Sequence, residues 1–117
     1  MYKRQEPVGA DDAARSLAAG KRIEQTSPNT ICDGLLTSLG QLNWSILHEH
    51  LETIVTVTDE QVIEAMRLLM TRAKAVVEPS GAVPLAAAMS PAWPVESVAK
   101  VGLIISGGNV DPDRLPW

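Results

Sequence analysis

The stretch Thr53-Ile54-Val55-Thr56-Val57-Thr58-Asp59-Glu60-Gln61 joins a strand pattern directly to the start of a helix. Residues 53–57 alternate in polarity and are rich in β-branched side chains, as is typical of a strand. Thr58, with Gln61 three positions later, has the spacing of a capping box, which closes the N-terminus of a helix. A strand that passes straight into a helix is the unit of α/β proteins, so this stretch predicts that fold class.

The helix after Gln61 carries a stripe of apolar side chains at helical spacing. Its members are Val62, Met66, Leu69, Ala73 and Val76. Since Pro79 disfavours the helical conformation in the residue before it, we expect this helix to end near Val77 or Glu78.

Three further helices are predicted from their caps and composition. Residues 81–89 are small and apolar, which indicates a tightly packed, buried helix with Pro84 in its first turn. Residues 6–12 form a polar loop that leads into a helix over 13–19, with Asp11 or Asp12 as its cap and Gly20 as its stop. A short helix from Trp44 to Leu51 is expected to be capped by Asn43.

The run Val101-Gly102-Leu103-Ile104-Ile105 predicts a buried strand, and it ends in Ser106-Gly107-Gly108-Asn109. A hydroxyl and two glycines after a strand indicate a place where the backbone approaches a ligand closely. The predicted order is helix, helix, strand, helix, helix, strand, with parallel strands. Because two strands make a thin sheet, we expect the chain to be part of a larger one.

Composition limits the possible functions. A chain of 117 residues with a net charge of −4 and scattered basic residues does not favour nucleic acid as a partner. No apolar run approaches the ~20 residues that span a bilayer, and no secretory signal opens the chain.

The single cysteine, Cys32, excludes an internal disulfide, and we expect it to be a packed side chain in a cytoplasmic protein. His48 and His50 are expected on the surface.

Several separated motifs resemble one family. Glu78-Pro79-Ser80-Gly81-Ala82, followed by Ser106 to Asp111, is similar to the C-terminal part of pyridoxal-phosphate enzymes of the tryptophan synthase β-like fold, also called fold type II. The nearest subgroup is that of serine racemases and threonine/serine dehydratases. Further similar segments are Ile31–Gly34, Ile54–Thr58 and Leu115–Trp117. The resemblance runs in order from Glu6 to the end of the chain.

The resemblance implies a cofactor site for pyridoxal 5'-phosphate. Ser106 matches the serine whose hydroxyl meets the pyridine nitrogen, a neutral partner that suits elimination of a β-hydroxyl. Gly107 would let the backbone approach the ring, and Gly34 matches a glycine beside the cofactor. Glu78 matches a glutamate near the ring; its alternative role is a solvated carboxylate at a helix end.

The resemblance also implies a divalent-cation site. The family uses a glutamate carboxylate, a main-chain carbonyl and an aspartate carboxylate, which correspond to Glu6, Ala10 and Asp12. Hard oxygen ligands suit Mg²⁺ or Ca²⁺. In the alternative interpretation, Asp11 and Asp12 only cap the next helix.

The family's Schiff-base lysine and phosphate loop have no counterpart here, so we expect no catalytic residue in this chain. Residues 1–5 depart from the family and are expected to be a non-native leader derived from an adapter. Residues 6–117 are expected to be the C-terminal part of the large, catalytic domain, incomplete on its own, with the family's natural end at its last residue.

Three functional hypotheses follow. The first is part of a pyridoxal-phosphate-dependent ammonia-lyase that converts L-threonine or L-serine to a 2-oxo acid and ammonia, in a parent protein that forms a homodimer or higher homo-oligomer. Serine racemisation on the same scaffold is the close alternative. The third is a small, non-catalytic α/β domain that binds an anion or another protein.

Overall fold

A computed structural model describes residues 2–94 and 100–117, with four helices packed around a two-stranded parallel sheet in these ranges. The strands are β1 (Tyr2–Pro7) and β2 (Leu51–Val57). The helices are α1 (Asp12–Ala19), α2 (Gln41–His50), α3 (Asp59–Leu68) and α4 (Pro79–Met89). The predicted α/β class is confirmed; the sheet is parallel, but it pairs β1 with β2 rather than joining the two strands that the sequence predicted.

Strand β1 pairs with β2 along its whole length, with Gln5 opposite Val55 and Pro7 opposite Val57. At the start of the ladder, Lys3 Nζ lies 3.3 Å from the Glu52 carboxylate. We predicted a polar loop over residues 6–12, but the first two of these residues belong to β1. The backbone bonds to β2 extend this strand in spite of its polar sequence, because a parallel ladder depends on the partner as well as on side-chain pattern.

The main core lies where β2, α3 and α4 meet. Its fully buried members include Val57, Val62, Met66, Val77 and Ala82. The start of α3 follows the capping-box prediction: Thr58 Oγ1 accepts a bond from the Gln61 N–H at 3.3 Å, and Gln61 Oε1 accepts one from the Thr58 N–H at 2.9 Å. A smaller core joins Ala13 of α1 to Leu39 and Trp44.

The end of the third helix was predicted too late. After α3 the chain makes a π-helical turn over Leu69–Ala73, and Lys74 then adopts a left-handed conformation with φ of 59°. The Ala75 N–H donates back to the Leu69 carbonyl at 3.0 Å, which closes the turn. The helical path therefore ends before Val76, and the Val76 side chain, placed in the apolar stripe, is exposed.

The other helix ends show which caps could be predicted. Gly20 ends α1 with a left-handed φ of 66°, as expected. In contrast, α2 begins at Gln41 after Gly40, so Asn43 is not its cap. Helix α4 begins at Pro79 rather than at residue 81, which puts Pro84 inside the helix instead of in its first turn.

The predicted strand over Val101–Ile105 is wrong for the described residues, because this segment pairs with neither β1 nor β2. The Ile104 side chain is 80% exposed. An apolar, β-branched run becomes a strand only where a neighbouring strand accepts its backbone bonds, and the sheet formed by the described residues ends at β1 and β2. Within residues 2–94 and 100–117, no helix is long and apolar enough to cross a membrane.

Candidate functional site

Two loops, the Gly34 loop (residues 30–36) and the glycine loop (residues 106–109), meet at the start of α4 and are fixed there by hydrogen bonds. The Glu78 N–H donates to the Gly107 carbonyl at 3.1 Å, and the Asn109 N–H donates to Glu78 Oε2 at 2.9 Å. From the other side, the Gly34 N–H donates to Ser80 Oγ at 3.1 Å. The start of α4 therefore connects Gly34 to the glycine loop, although the sequence separates them widely.

The glycine loop packs so closely on α4 that side chains there would collide. A Cβ added to Gly107 would lie 2.5 Å from Glu78 Oε1, and one added to Gly108 would lie 2.9 Å from the Val76 carbonyl oxygen. A Cβ on Gly81 would lie 2.8 Å from the Gly107 carbonyl oxygen. These glycines are thus required by packing within the chain, a reason that the sequence alone did not reveal.

The residues predicted to face a cofactor are brought into one region. Glu78 contacts the glycine loop through both its backbone and its carboxylate, and Gly34 lies on the other side of the same helix turn. Ser106, next to Gly107 in the chain, is exposed at the edge of this region. The arrangement is a cradle of backbone atoms with one exposed hydroxyl, and a flat, polar ring fits that chemistry.

Two residues that sequence reasoning missed hold the Gly34 loop. Asp59, at the start of α3, accepts bonds from the Thr30 hydroxyl at 2.5 Å and from the Ile31 N–H at 3.1 Å. Ser80 holds Gly34 itself. Asp59 gave only a signal for a helix start and Ser80 only a motif match, because neither pattern indicates a bond to a distant loop.

A second group of predicted residues is buried where β1 leads into α1. Glu6, Ala10 and Asp12 are exposed by 2%, 1% and 3%. Glu6 Oε2 accepts a bond from the Ala14 N–H at 3.0 Å, and Asp12 Oδ2 accepts one from the Leu39 N–H at 2.7 Å. The three predicted metal-site residues are therefore all buried, and besides burial the Asp12 charge raises the pKa of Glu6.

Asp11 occupies the N-cap position of α1, as predicted, but neither aspartate caps the helix through its side chain. Asp11 makes no side-chain bond to the helix N-terminus, and its Oδ1 instead accepts from Arg15 Nε at 2.8 Å. The Asp12 carboxylate accepts its bond from Leu39. Glu6 is the residue that satisfies a free N–H of the first turn of α1, at Ala14.

The donor set of this second group suits a hard cation. Two buried carboxylates and a main-chain carbonyl offer only oxygen ligands, which Mg²⁺ and Ca²⁺ prefer. The Arg4 guanidinium lies 3.3 Å from Glu6 Oε1 and would compete with a cation there. In the described ranges, no group of three or more His, Cys, Asp or Glu side chains could hold a metal ion, so a cation here would depend on the carbonyl as its third ligand.

Burial raises the pKa of Glu6 from 4.5 to about 7. The Ala14 N–H and the Arg4 charge lower the pKa, while the charges of Asp12 and Asp11 raise it. Burial has the largest effect because a carboxylate out of water loses its hydration. Near neutral pH this carboxyl is therefore divided between its protonated and ionised forms.

We expect Glu6→Gln to flatten the pH dependence of stability. Because the folded chain holds the Glu6 proton up to about pH 7 and the unfolded chain only to 4.5, stability falls as the pH rises through this interval. The full loss is roughly 3 kcal/mol, from about 1.4 kcal/mol per pKa unit. Urea unfolding at several pH values measures it. Glu52→Gln, at an exposed carboxylate, is the control; an unchanged slope in Glu6→Gln would contradict the assignment.

Cys32 is packed in the main core, as predicted, and its side chain is fully buried. Burial raises the pKa of its thiol to about 11, so the reactive thiolate is scarce at neutral pH. We expect a thiol reagent to label Cys32 much more slowly in the native chain than in the urea-unfolded chain at the same pH. Equal labelling rates would show that Cys32 is accessible.

His48 and His50 are exposed on α2, as predicted.

Residues 5–107 match the family model of the pyridoxal-phosphate dependent enzymes. A rice (Oryza sativa subsp. indica) protein named serine racemase is 46% identical over 110 residues, which is 91% of this chain and 32% of the relative. The beta-hydroxyaspartate dehydratase of Paracoccus denitrificans is 44% identical over 96% of this chain and 35% of the relative. The solved structure of maize serine racemase is 44% identical, with a TM-score of 0.89 over 94% of this chain and 35% of that one. The chain spans about a third of the length of these curated relatives.

Proposed function

Because the chain belongs to the family of pyridoxal-phosphate dependent enzymes, we propose that it contributes one wall of the cofactor site of an ammonia-lyase. Its substrate would be L-threonine or L-serine, and its products a 2-oxo acid and ammonia. The observation that carries the proposal is the junction of two loops at the start of α4, where Gly34 is bonded to Ser80 and Gly107 is bonded to Glu78.

We assign the cofactor contacts to four residues of this junction. The exposed Ser106 hydroxyl would bond the pyridine nitrogen, and the backbones at Gly34 and Gly107 would lie against the ring. Glu78 would hold the loop that presents Ser106, through its bonds to Gly107 and Asn109. When bound, the cofactor supplies an electron sink for the carbon that carries the amino group. A neutral hydroxyl at Ser106 orients the ring without the charge that a carboxylate would bring.

Serine racemisation is the second candidate, because the rice relative named serine racemase is 46% identical to this chain. A racemase and a lyase can share the contacts made by Ser106 and Gly34, since both reactions begin with loss of the same proton. The fate of the substrate separates the two candidates.

The test uses the protein encoded by the complete gene. We expect added pyridoxal phosphate to bind and give a visible absorbance band, and the loaded protein to release ammonia from L-threonine or L-serine. Ser106→Ala should weaken cofactor binding about five-fold, which corresponds to one neutral hydrogen bond of about 1 kcal/mol. Formation of D-serine without ammonia would favour the racemase, and absence of any bound cofactor would contradict both.

We also propose that Glu6, the Ala10 carbonyl and Asp12 bind Mg²⁺ or Ca²⁺. The burial of both carboxylates supports this, since a divalent cation would replace the hydration they lack. At pH 8 we expect either cation to raise the unfolding temperature, and Glu6→Gln to remove the effect. At pH 5.5 the effect should shrink because the cation must displace the Glu6 proton. No stabilisation at pH 8 would contradict the site.

The remaining assignments stay predictions. They are the division that places residues 6–117 in a larger catalytic domain, the homo-oligomeric parent and its cytoplasmic location.

A further inference from the structure

We propose that Ser80 is a positioning residue, whose hydroxyl fixes the Gly34 backbone at a set height relative to the cofactor. The inference rests on the proposed function, because it concerns the wall of that same site. Ser80 would not touch the reacting atoms; it would act through Gly34, to which it is bonded at 3.1 Å.

The Ser80–Gly34 bond joins a rigid element to an exposed one. Ser80 is 9% exposed and lies in the first turn of α4, which packs against α3 in the main core. Gly34 is exposed and lies in a short 3-10 turn, Asp33–Leu35. The bond spans 46 positions of the sequence, so the buried serine determines where the exposed turn can rest.

The approach is too close to allow much adjustment. A Cβ added to Gly34 would lie 3.0 Å from Ser80 Oγ and 3.4 Å from Ser80 Cβ. The spacing of the two residues is therefore set by contact from one side and by the hydrogen bond from the other. A change of either residue should move the Gly34 backbone by a few tenths of an ångström.

The same helix turn also holds the opposite wall. Glu78, two residues before Ser80, bonds the Gly107 carbonyl through its N–H. The start of α4 therefore sets the distance between Gly34 and the Ser106–Gly107 segment. If the cofactor ring binds between them, a change at Ser80 would change the space that is left for the ring.

Asp59 makes the proposal testable without unfolding the loop. Its carboxylate holds Thr30 and Ile31, upstream of Gly34, from a different helix. When the Ser80 hydroxyl is removed, this anchor remains. We therefore expect Gly34 to shift while the loop stays attached.

The experiment compares three variants in the holoenzyme from the complete gene. Ser80→Ala removes the hydroxyl, Ser80→Thr keeps it, and Ser38→Ala removes an equivalent bond, from the Gln25 N–H at 3.0 Å, outside the site. The readouts are the dissociation constant of pyridoxal phosphate and the visible circular dichroism of the bound cofactor. Ser80→Ala should weaken binding by up to about five-fold, the limit set by one lost hydrogen bond, and change the dichroism. Ser80→Thr should restore both, and Ser38→Ala should match the wild type.

The outcomes separate this inference from the proposed function. If the wild type binds no cofactor, the proposed function fails. If it binds, and Ser80→Ala retains both its affinity and its dichroism, or Ser80→Thr does not restore them, the positioning role is overturned and the function stands.

A second variant covers the case in which Ser80→Ala does not fold by itself. Gly34→Ala keeps the Ser80 hydroxyl but places a Cβ 3.0 Å from its Oγ, so it should weaken cofactor binding and change the dichroism. Unchanged affinity and dichroism in Gly34→Ala would overturn the proposal.

Discussion

Gly9→Ala is expected to destabilise the chain by about 3 kcal/mol or more, at or beyond the upper end of ordinary overpacking. A Cβ at this position would lie 1.7 Å from the Asn29 carbonyl oxygen and 2.7 Å from its carbon. The two backbones are also bonded, because the Asn29 N–H donates to the Gly9 carbonyl at 2.8 Å. No side chain can rotate to relieve this contact, so the segments must separate and lose their hydrogen bond.

Urea unfolding followed by circular dichroism measures the effect. Gly102→Ala is the matched control, because a Cβ there would meet no atom within 4 Å and the substitution is the same. We expect the control to stay within about 0.5 kcal/mol of the wild type. Since Gly9 precedes Ala10, the variant should also lose any stabilisation by Mg²⁺ or Ca²⁺. Equal unfolding midpoints for Gly9→Ala and Gly102→Ala would contradict the described contact.

Met66→Ala is expected to cost about 2–5 kcal/mol, the range for deletion of a large buried side chain. Met66 has the largest volume of the fully buried side chains described and lies on α3, in the core that α3 shares with β2 and α4. The cavity would loosen the packing of α3 on α4. Because Asp59 begins α3 and Ser80 lies on α4, we expect the Gly34 loop to lose order as the core weakens.

The matched control is Met89→Ala, at a side chain that is 47% exposed near the end of α4. We expect it to be within about 1 kcal/mol of the wild type, since little apolar area leaves water there. Urea midpoints give the stabilities, and hydrogen exchange of the Gly34 amide reports on the loop. If both methionine variants lose the same stability, the core assignment is wrong.

Local patterns predicted the parts of this fold that depend on neighbours in sequence. The capping box at Thr58 and Gln61 formed because its two bonds join residues three apart. Gly20 ended α1 because a left-handed residue is cheapest at glycine. Strand β2 matched its alternating pattern because one partner strand and one core face were enough to define it.

The parts that could not be predicted depend on distant residues. Nothing near Ser80 indicates that its hydroxyl meets the Gly34 N–H, 46 positions away. Lys74 took a left-handed conformation that its sequence does not favour, and this ended the helix early. The apolar run at Val101–Ile105 has the composition of a strand, yet pairing requires a neighbour that composition does not reveal.

The pairing of β1 with β2 has a consequence for how the chain folds. Lys3 and Glu52, which meet at the start of this ladder, are 49 positions apart in sequence, so the sheet must close a long loop before its bonds form. Helices α3 and α4, in contrast, are separated by only the ten residues 69–78 and pack directly on each other. Because contacts of low sequence separation form fastest, we expect the α3–α4 pair to assemble early and closure of the sheet to limit the folding rate. The buried carboxylates of Glu6 and Asp12, where β1 leads into α1, would then leave water only in that last step.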